Sequence, residues 1–442
     1  HPKPRGKADM SRTIHEDVPC PFCGCLCDDI QVTVEDNAIK EVRRSCSISK
    51  SKFLNYTQDR LDMPMVRKNG SFVQTSLDQA LDRAADILAA SRYPLMYGWS
   101  STCNEAQRVG IELAELLGGA IDNTTTVCHG PSLLAVQGLG SPQATLGDIS
   151  TKADLVIYWG CNPMHSHPRH LSRYTVFSKG YFSKRREDRK MVVVDVRETP
   201  TARAADLFIK IQPNRDFELL SALRMAVRDE EMDVDSVAGV PIELVEELAD
   251  IMVNASYGVL FYGLGLTMTM AKSANVDSAI LLVRDLNART KFNIIPMRGH
   301  YNVTGCNEVM TWQTGYPFAV DFSLGYPRYN PGETSVIDLL SRGEGDAMLV
   351  VAADPVSSFP LEAVKRIMKM PLITIDVRPT PTTYRSEVVI PSAITGIEAE
   401  GTAYRMDGVI FKMKKLVDPP PALRSDQQVL LDLKRKVEER IG

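Results

Sequence analysis

"ADLVIYWGCNP" runs from Ala153 to Pro163, and "GDAMLVVAADP" runs from Gly345 to Pro355. Each is a short apolar run that closes on small residues and a proline. Runs of this length, bounded by turn residues, predict strands buried inside a parallel sheet. A second strand follows each one. "MVVVDVRETPTARAADLFIKIQP" (Met191–Pro213) carries Asp195, Thr199 and Thr201, and "LITIDVRPTPTTYRSEVVIPSA" (Leu372–Ala393) carries Asp376, Thr380 and Thr382. The same order therefore occurs twice: strand, small-residue turn, crossover, a strand ending in D-V-R, and a T-P-T turn.

Two similar βαβ units predict two similar ligand halves, with these turns at the carboxyl ends of the strands, where ligands bind. A strand-end carboxylate accepts from a ribose hydroxyl or from the N–H edge of guanine, and threonines suit phosphate or ring polar atoms. Taken singly, D-x-R and T-P-T are ordinary capped turns. Their repetition in one order favours a nucleotide. Neither copy carries G-x-G-x-x-G or a P-loop lysine, which disfavours simple NAD or ATP binding.

The rest of the chain agrees with an α/β protein. "TSLDQALDRAADILAAS" (Thr75–Ser91) has helical apolar spacing with Ser76 as N-cap. "YPLMYGWSS" reads as a buried strand, and "TCNEAQRVGIELAELLGG" as a helix closed by Gly118 and Gly119. The 442 residues are 44% hydrophobic and 24% charged, enough for two or more domains with real cores. A net charge of −4 implies no basic face, so nucleic acid is not the expected partner. The most apolar stretch, about 251–271, is broken by Asn254, Ser256 and glycines, so no membrane span is expected. No secretory signal is read, and a cytoplasmic location is expected.

Nine cysteines are present, five of them in "VPCPFCGCLCDDI" (Val18–Ile30) and at Cys46. An odd, clustered set points to metal rather than disulfides. Cys20, Cys23 and Cys27 form C-x2-C-x3-C, and Cys46 stands alone downstream. Zinc sites come as two pairs, whereas three plus one suits a [4Fe–4S] cluster. Zinc remains the alternative. Gly24 lets the backbone wrap closely. Lys50 and Lys52 follow Cys46; they are either solvated surface lysines or include one cation beside an electron path.

In "NTTTVCHGPSLLAVQG", Cys128 and His129 precede a helix with Pro131 at its start. A cysteine there is a nucleophile or soft-metal ligand, or else a buried core residue. "IIPMRGHYNVTGCN" places Arg298 at a strand end, to bind a carboxylate or to hold loop carbonyls. "HSHPRH" (His165–His170) reads mainly as loop contacts to a ligand, with zinc a minor alternative. Cys103, Cys161 and Cys306 read as core.

Together these motifs resemble the molybdopterin oxidoreductases of the dimethyl-sulfoxide-reductase and formate-dehydrogenase class. "VCHGPS" and "WGCNPMHSHPRH" are similar to the B subunits of formylmethanofuran dehydrogenases. The resemblance covers about Cys20 to Gly408. It implies formate-dehydrogenase-like domains I–III with two parallel-sheet nucleotide halves and a small N-terminal Fe–S domain. It further implies that Cys20, Cys23, Cys27 and Cys46 hold [4Fe–4S]. Cys128 would ligate molybdenum or tungsten between two molybdopterin guanine dinucleotides. Asn162, Asp195, Thr199 and Thr201 would serve one of them; Asp376, Thr380, Thr382, Gly401 and Thr402 would serve the other; Gly263 and Asp354 would also bind cofactor. His129 and Arg298 match the class's catalytic histidine and arginine. Cys25 is expected to be unligated.

The implied reaction is reduction of CO2 to formate with low-potential electrons of ferredoxin type. The implied partners are an amidohydrolase-like subunit that condenses formate with methanofuran and polyferredoxin or other Fe–S subunits. A β-barrel partner is also expected, because the chain reads as lacking the class's C-terminal barrel. Two other readings are a formate dehydrogenase catalytic subunit and a metal-free scaffold of a formyltransferase/hydrolase complex. The expected division is an extension at 1–17, a cluster domain at 18–72, the Cys128 region with the first half at 73–330, the second half at 331–415, and a helical tail at 416–442.

Overall fold

The computed structural model describes residues 12–442. Two parallel sheets carry the two sequence repeats. In the first, Leu207–Lys210, Lys190–Asp195, Leu155–Trp159, Tyr257–Tyr262 and Lys291–Pro296 lie side by side in that order, all parallel. The strand order reverses between Leu155–Trp159 and Tyr257–Tyr262. In the second, Ala120–Asn123, Pro94–Gly98, Ala347–Val351, Leu372–Asp376 and Val388–Pro391 are parallel. Short antiparallel pairs extend both of its edges to nine strands. Here the order reverses between Pro94–Gly98 and Ala347–Val351. An open sheet binds ligands at such reversals, beyond the carboxyl ends.

The strands are apolar throughout because both faces are covered. Leu95, Tyr97, Met348 and Val350 pack into one core, while Met96, Leu349, Val351 and Ile375 pack into the other. The helix Leu77–Ala90 is capped by Ser76, whose hydroxyl accepts from Gln79 N, and it buries Ala80, Leu81, Ala84 and Leu88. The helix Asn104–Leu116 ends before Gly118, whose φ is +60°.

Three boundaries differ from the sequence reading. Residues 12–17, expected in the extension, belong with Val18 to a strand paired with Ile30–Glu35 in a three-stranded sheet. The strands at 65–74, 94–98 and 120–123 join the second sheet, not the first half or the cluster unit. The charged tail is docked: Asp426–Ile441 buries Val429, Leu430, Leu433 and Val437 against the helices at 77–90 and 104–116. Lys436 and Arg440 bond Asp82 and Asp86 at 2.8 and 2.6 Å along its flank. Residues 1–11, also expected in the extension, lie outside the described residues. Among the described residues no helix is long and apolar enough to cross a membrane.

Candidate functional site

Cys20, Cys23, Cys25, Cys27 and Cys46 all line one small void. The loop that carries the first four is closed by Cys20 N donating to Cys27 O (3.0 Å) and Leu26 N to Cys23 O (3.1 Å). Cys46 caps the helix Ser47–Leu54, its Sγ accepting from Ser49 N at 3.3 Å. Cys20 Sγ donates to Ser49 Oγ at 3.3 Å. Burial pushes the Cys27 thiol up to about 12, against the charges of Arg169 and Arg173. No three His, Cys, Asp or Glu side chains among the described residues stand close enough to grip a single metal ion. The cysteines instead ring a space. Cys25 faces it too, but it is set apart by a contact of 3.7 Å to His170 Nδ1.

Gly24 explains how this loop reaches the rest of the site. A Cβ there would lie 2.2 Å from the carbonyl oxygen of Arg298, so only glycine allows the approach. Gly24 N donates to Gly299 O at 3.0 Å, and Met406 N donates back to Gly24 O at 3.0 Å. His167 bonds the same Arg298 carbonyl through Nε2 at 2.9 Å and also lines the cysteine void. The histidine cluster therefore splits: His167 and His170 brace the cysteine loop, and His165 is exposed.

Arg298 follows the strand Lys291–Pro296. Its Nη1 donates to Asn307 Oδ1 (3.0 Å) and Thr304 Oγ1 (3.3 Å), and its buried Nε has no partner. Its charge acts on both Cys128 and His129, which places the three together. Cys128 is half-buried just before the helix Gly130–Leu139, with Pro131 in that helix's first turn as expected. Burial outweighs Arg298 and raises the Cys128 thiol to about 11. The sequence alone left a ligand or nucleophile and a buried core cysteine both open at this position. His129 is fully buried. Its Nε2 faces Met297 O at 3.3 Å and its Nδ1 faces Ser132 Oγ at 3.1 Å. A carbonyl only accepts, so Nε2 carries the proton and Nδ1 accepts from Ser132. Burial and Arg298 lower His129 to about 3, which keeps the ring neutral.

The two repeats form matching turns. Asn162 and Asp354 have nearly the same torsions, φ −125° ψ 75° and φ −126° ψ 74°. Thr201 Oγ1 donates to Asn162 Oδ1 at 2.6 Å, and Thr382 Oγ1 to Asp354 Oδ1 at 2.5 Å. Thr199 and Thr380 cap the next helices, accepting from Ala202 N and Thr383 N. Asp195 and Asp376 accept from Arg197 N and Arg378 N, at 3.2 and 3.3 Å. Thr199, Thr201 and Thr382 are buried and engaged in building the turns.

Residues 60–436 match the family model for molybdopterin oxidoreductases. The chain belongs to the molybdopterin oxidoreductase family. The B subunit of the tungsten-containing formylmethanofuran dehydrogenase 2 of Methanocaldococcus jannaschii is 51% identical, over 96% of this chain and 98% of that one. The acetylene hydratase of Pelobacter acetylenicus shares the fold at TM-score 0.73 and 13% identity, over 96% of this chain and 70% of that chain. A chain of the formyltransferase/hydrolase complex of Methylorubrum extorquens shares it at TM-score 0.69 and 22% identity, over 85% of this chain and 99% of that chain.

Within this molybdopterin oxidoreductase fold, each turn borders a cleft at its sheet's reversal point. The first cleft, about 150 Å³, is lined by Asp195, Gly160, Gly265, Asn214 and Asp216. Gly263 lies behind it, where a Cβ would meet Cys161 Cβ at 2.6 Å. The second cleft, about 460 Å³, is lined by Asp354, Asp376 and Thr380 and extends to Phe22, Lys52 and His300. Of the two lysines, Lys52 is therefore the one beside the site, 5.3 Å above the Phe22 ring.

Gly401 and Thr402 line neither cleft. They begin the hairpin strand Gly401–Tyr404, where Thr402 N and Oγ1 both bond Glu105. Their place is structural: a Cβ on Gly401 would meet Cys103 Cβ at 2.5 Å. Sequence reading missed Asp216, whose Oδ1 accepts from Trp159 Nε1 at 2.8 Å while its buried Oδ2 has no partner. No local motif marks it; only the fold brings it under the first turn.

Proposed function

We propose that the chain is the catalytic B subunit of a formylmethanofuran dehydrogenase, reducing CO2 to formate. One observation carries this reading. Gly24 ties a void ringed by cysteines to the backbone of Arg298, whose charge reaches Cys128, and strand-end clefts belong to the same structure.

The residues fit the groups this family carries. A ring of sulfurs around a space suits a cube of iron and sulfide better than one zinc ion, which needs ligands in mutual contact. Cys20, Cys23, Cys27 and Cys46 would hold the cube. Cys128 is a soft donor suited to molybdenum or tungsten. Each cleft offers an acceptor carboxylate at a strand end, Asp195 or Asp376, for the guanine N–H edge of a pterin guanine dinucleotide. When bound, the metal centre supplies the two-electron redox change and the cluster relays single electrons.

The chain's own residues do the rest. Arg298, buried and always charged, attracts the carboxylate that forms as CO2 is reduced. His129 stays neutral, so it adds no second positive charge there and holds the Met297 carbonyl beside Arg298. Partner subunits would supply electrons through Fe–S proteins and consume formate at an amidohydrolase-like site. The test is Cys128→Ala in the native complex. CO2/formate interconversion and bound tungsten or molybdenum should be lost while the cluster's absorbance remains; retained activity would refute the role of Cys128.

A further inference from the structure

The motif "HSHPRH" (His165–His170) brings more than braces to the cysteine loop. Between His167, which bonds the Arg298 carbonyl, and His170, which meets Cys25, stands Arg169, and Arg169 lines the cysteine void. Its two terminal nitrogens grip Asp29, Nη1 on Oδ1 at 2.6 Å and Nη2 on Oδ2 at 2.7 Å. Four residues on, Arg173 Nη1 pairs with the same carboxylate at 2.6 Å, and its Nη2 donates to Asp28. Two arginines and two aspartates thus form one quartet, and the two acids directly follow Cys27.

The quartet has a direction. Arg169 borders the void, whereas Asp28 and Asp29 do not. Both guanidinium charges act on the Cys27 sulfur, Arg169 more strongly than Arg173, and both more strongly than the opposing Asp29. Tyr174 fixes Arg173 further. Arg173 Nε donates to the Tyr174 hydroxyl at 2.9 Å, and that hydroxyl donates to Cys25 O at 3.4 Å. A bidentate pair holds the Arg169 guanidinium in one orientation. The four side chains are only 20–33% exposed, so solvent screens them in part. The next cation, Arg405, acts on Cys25 instead and is neutralised by Asp407 at 2.7 and 2.8 Å. The quartet is neutral in sum and positive toward the void.

That polarity suits electron arrival. An electron from a partner iron–sulfur protein adds one negative charge at the void, and it leaves toward the Cys128 side; no bond forms or breaks and no proton moves. Thiolates already make this space negative, and burial opposes further charge. Fixed positive ends facing it favour the reduced state. We propose that Arg169 and Arg173, aimed by Asp28 and Asp29, set the reduction potential of the cluster held by Cys20, Cys23, Cys27 and Cys46. The arginines raise it, and the aspartates hold them in place and limit the rise. All four are positioning residues. The inference rests on the iron–sulfur reading above and deepens it.

The test uses the full chain loaded with iron and sulfide, so that a single cluster is observed. Its potential is read by a redox titration followed by electron paramagnetic resonance, with iron counted per chain. The variants are Asp29→Asn, Arg169→Gln, the two together, and Arg169→Lys. At the wild-type midpoint, Asp29→Asn should raise the reduced-to-oxidised ratio about tenfold and Arg169→Gln should lower it about tenfold, the scale of one unit charge about 10 Å away inside a protein. The double variant should return to within about threefold of wild type, and so should Arg169→Lys, which keeps the charge. Single shifts in the same direction, or no shifts, would overturn the inference and leave the functional reading standing, because a distorted loop does not follow the sign of the charge removed. A double variant as displaced as either single would overturn it too. If Arg169→Gln binds no iron, Arg173→Gln, which does not border the void, takes its place with the same expected fall. A wild-type chain that takes up zinc and no iron would overturn the functional reading itself.

Discussion

The turn at Gly160–Pro163 and the turn at Ala352–Pro355 have the same backbone and different surroundings. Gly160 N and Ala352 N each donate to the neighbouring strand, at Val194 O and Ile375 O, both at 2.9 Å. Both residues have positive φ, +57° and +50°. In the first copy a second glycine loop presses on the turn: a Cβ on Gly160 would lie 2.8 Å from the Gly265 backbone. The cleft there is small and its strand-end Asp195 is half-buried. In the second copy the turn opens onto a larger cleft, where burial raises Asp376 to about 7. Local turn chemistry sets the shape of each turn. What packs behind it sets how much room and charge the ligand meets.

The comparison breaks most sharply at Gly160 against Ala352. Gly160→Ala adds left-handed strain to a clash with backbone and should cost about 3 kcal/mol or more, lowering GMP content with it. Ala352→Gly relieves the same strain while loosening the unfolded chain, so it should stay within about 1 kcal/mol of wild type. Denaturant melts of the two variants check the pair. Equal costs would show that the copies are packed alike.

The threonine straps should differ less. Thr382→Val leaves the Asp354 carboxylate and Val356 N without their shared hydroxyl, for about 2–3 kcal/mol. Thr201→Val strands the neutral Asn162 amide and Met164 N, for about 1 kcal/mol. The same melts read both, and a costlier Thr201→Val would reverse the ranking.

A further effect is one of pH. Asp376 has a folded pKa raised from 3.8 to about 7, so its protonated form suits the fold. Its contribution is full below about pH 4 and is lost as pH rises through 7. Asp376→Asn carries no such loss. The cofactor-free variant should gain about 1–2 kcal/mol on wild type by pH 8, although it binds guanine less well. Asp195→Asn should gain less, because Asp195 is less buried. A pH-independent gap between Asp376→Asn and wild type would refute the burial of an uncompensated acid there.

The repeat was legible because its parts are local: an apolar strand, a proline in the first turn, and threonine caps three residues from the amides they meet. Cys128 before its helix and Gly24 at a close approach were legible for the same reason. Strand partners were not. Apolar periodicity marks Leu95–Tyr97 as buried but does not say that its neighbour is Ala347–Val351, some 250 residues on. Gly401 and Thr402 were misplaced because a Gly-Thr turn looks alike beside a ligand or beside Glu105. Asp216 carries no motif; its unpaired oxygen appears only once long-range packing removes water. Whether Cys128 is a thiolate or a buried thiol was not legible, because burial, which raises its thiol, is set by long-range packing.

The central claim is that the two turns take one guanine each. Acid release of GMP from the native complex, counted per chain, tests it most directly. The account predicts about two GMP per chain, one for each strand-order reversal. One GMP per chain, or none, would contradict it.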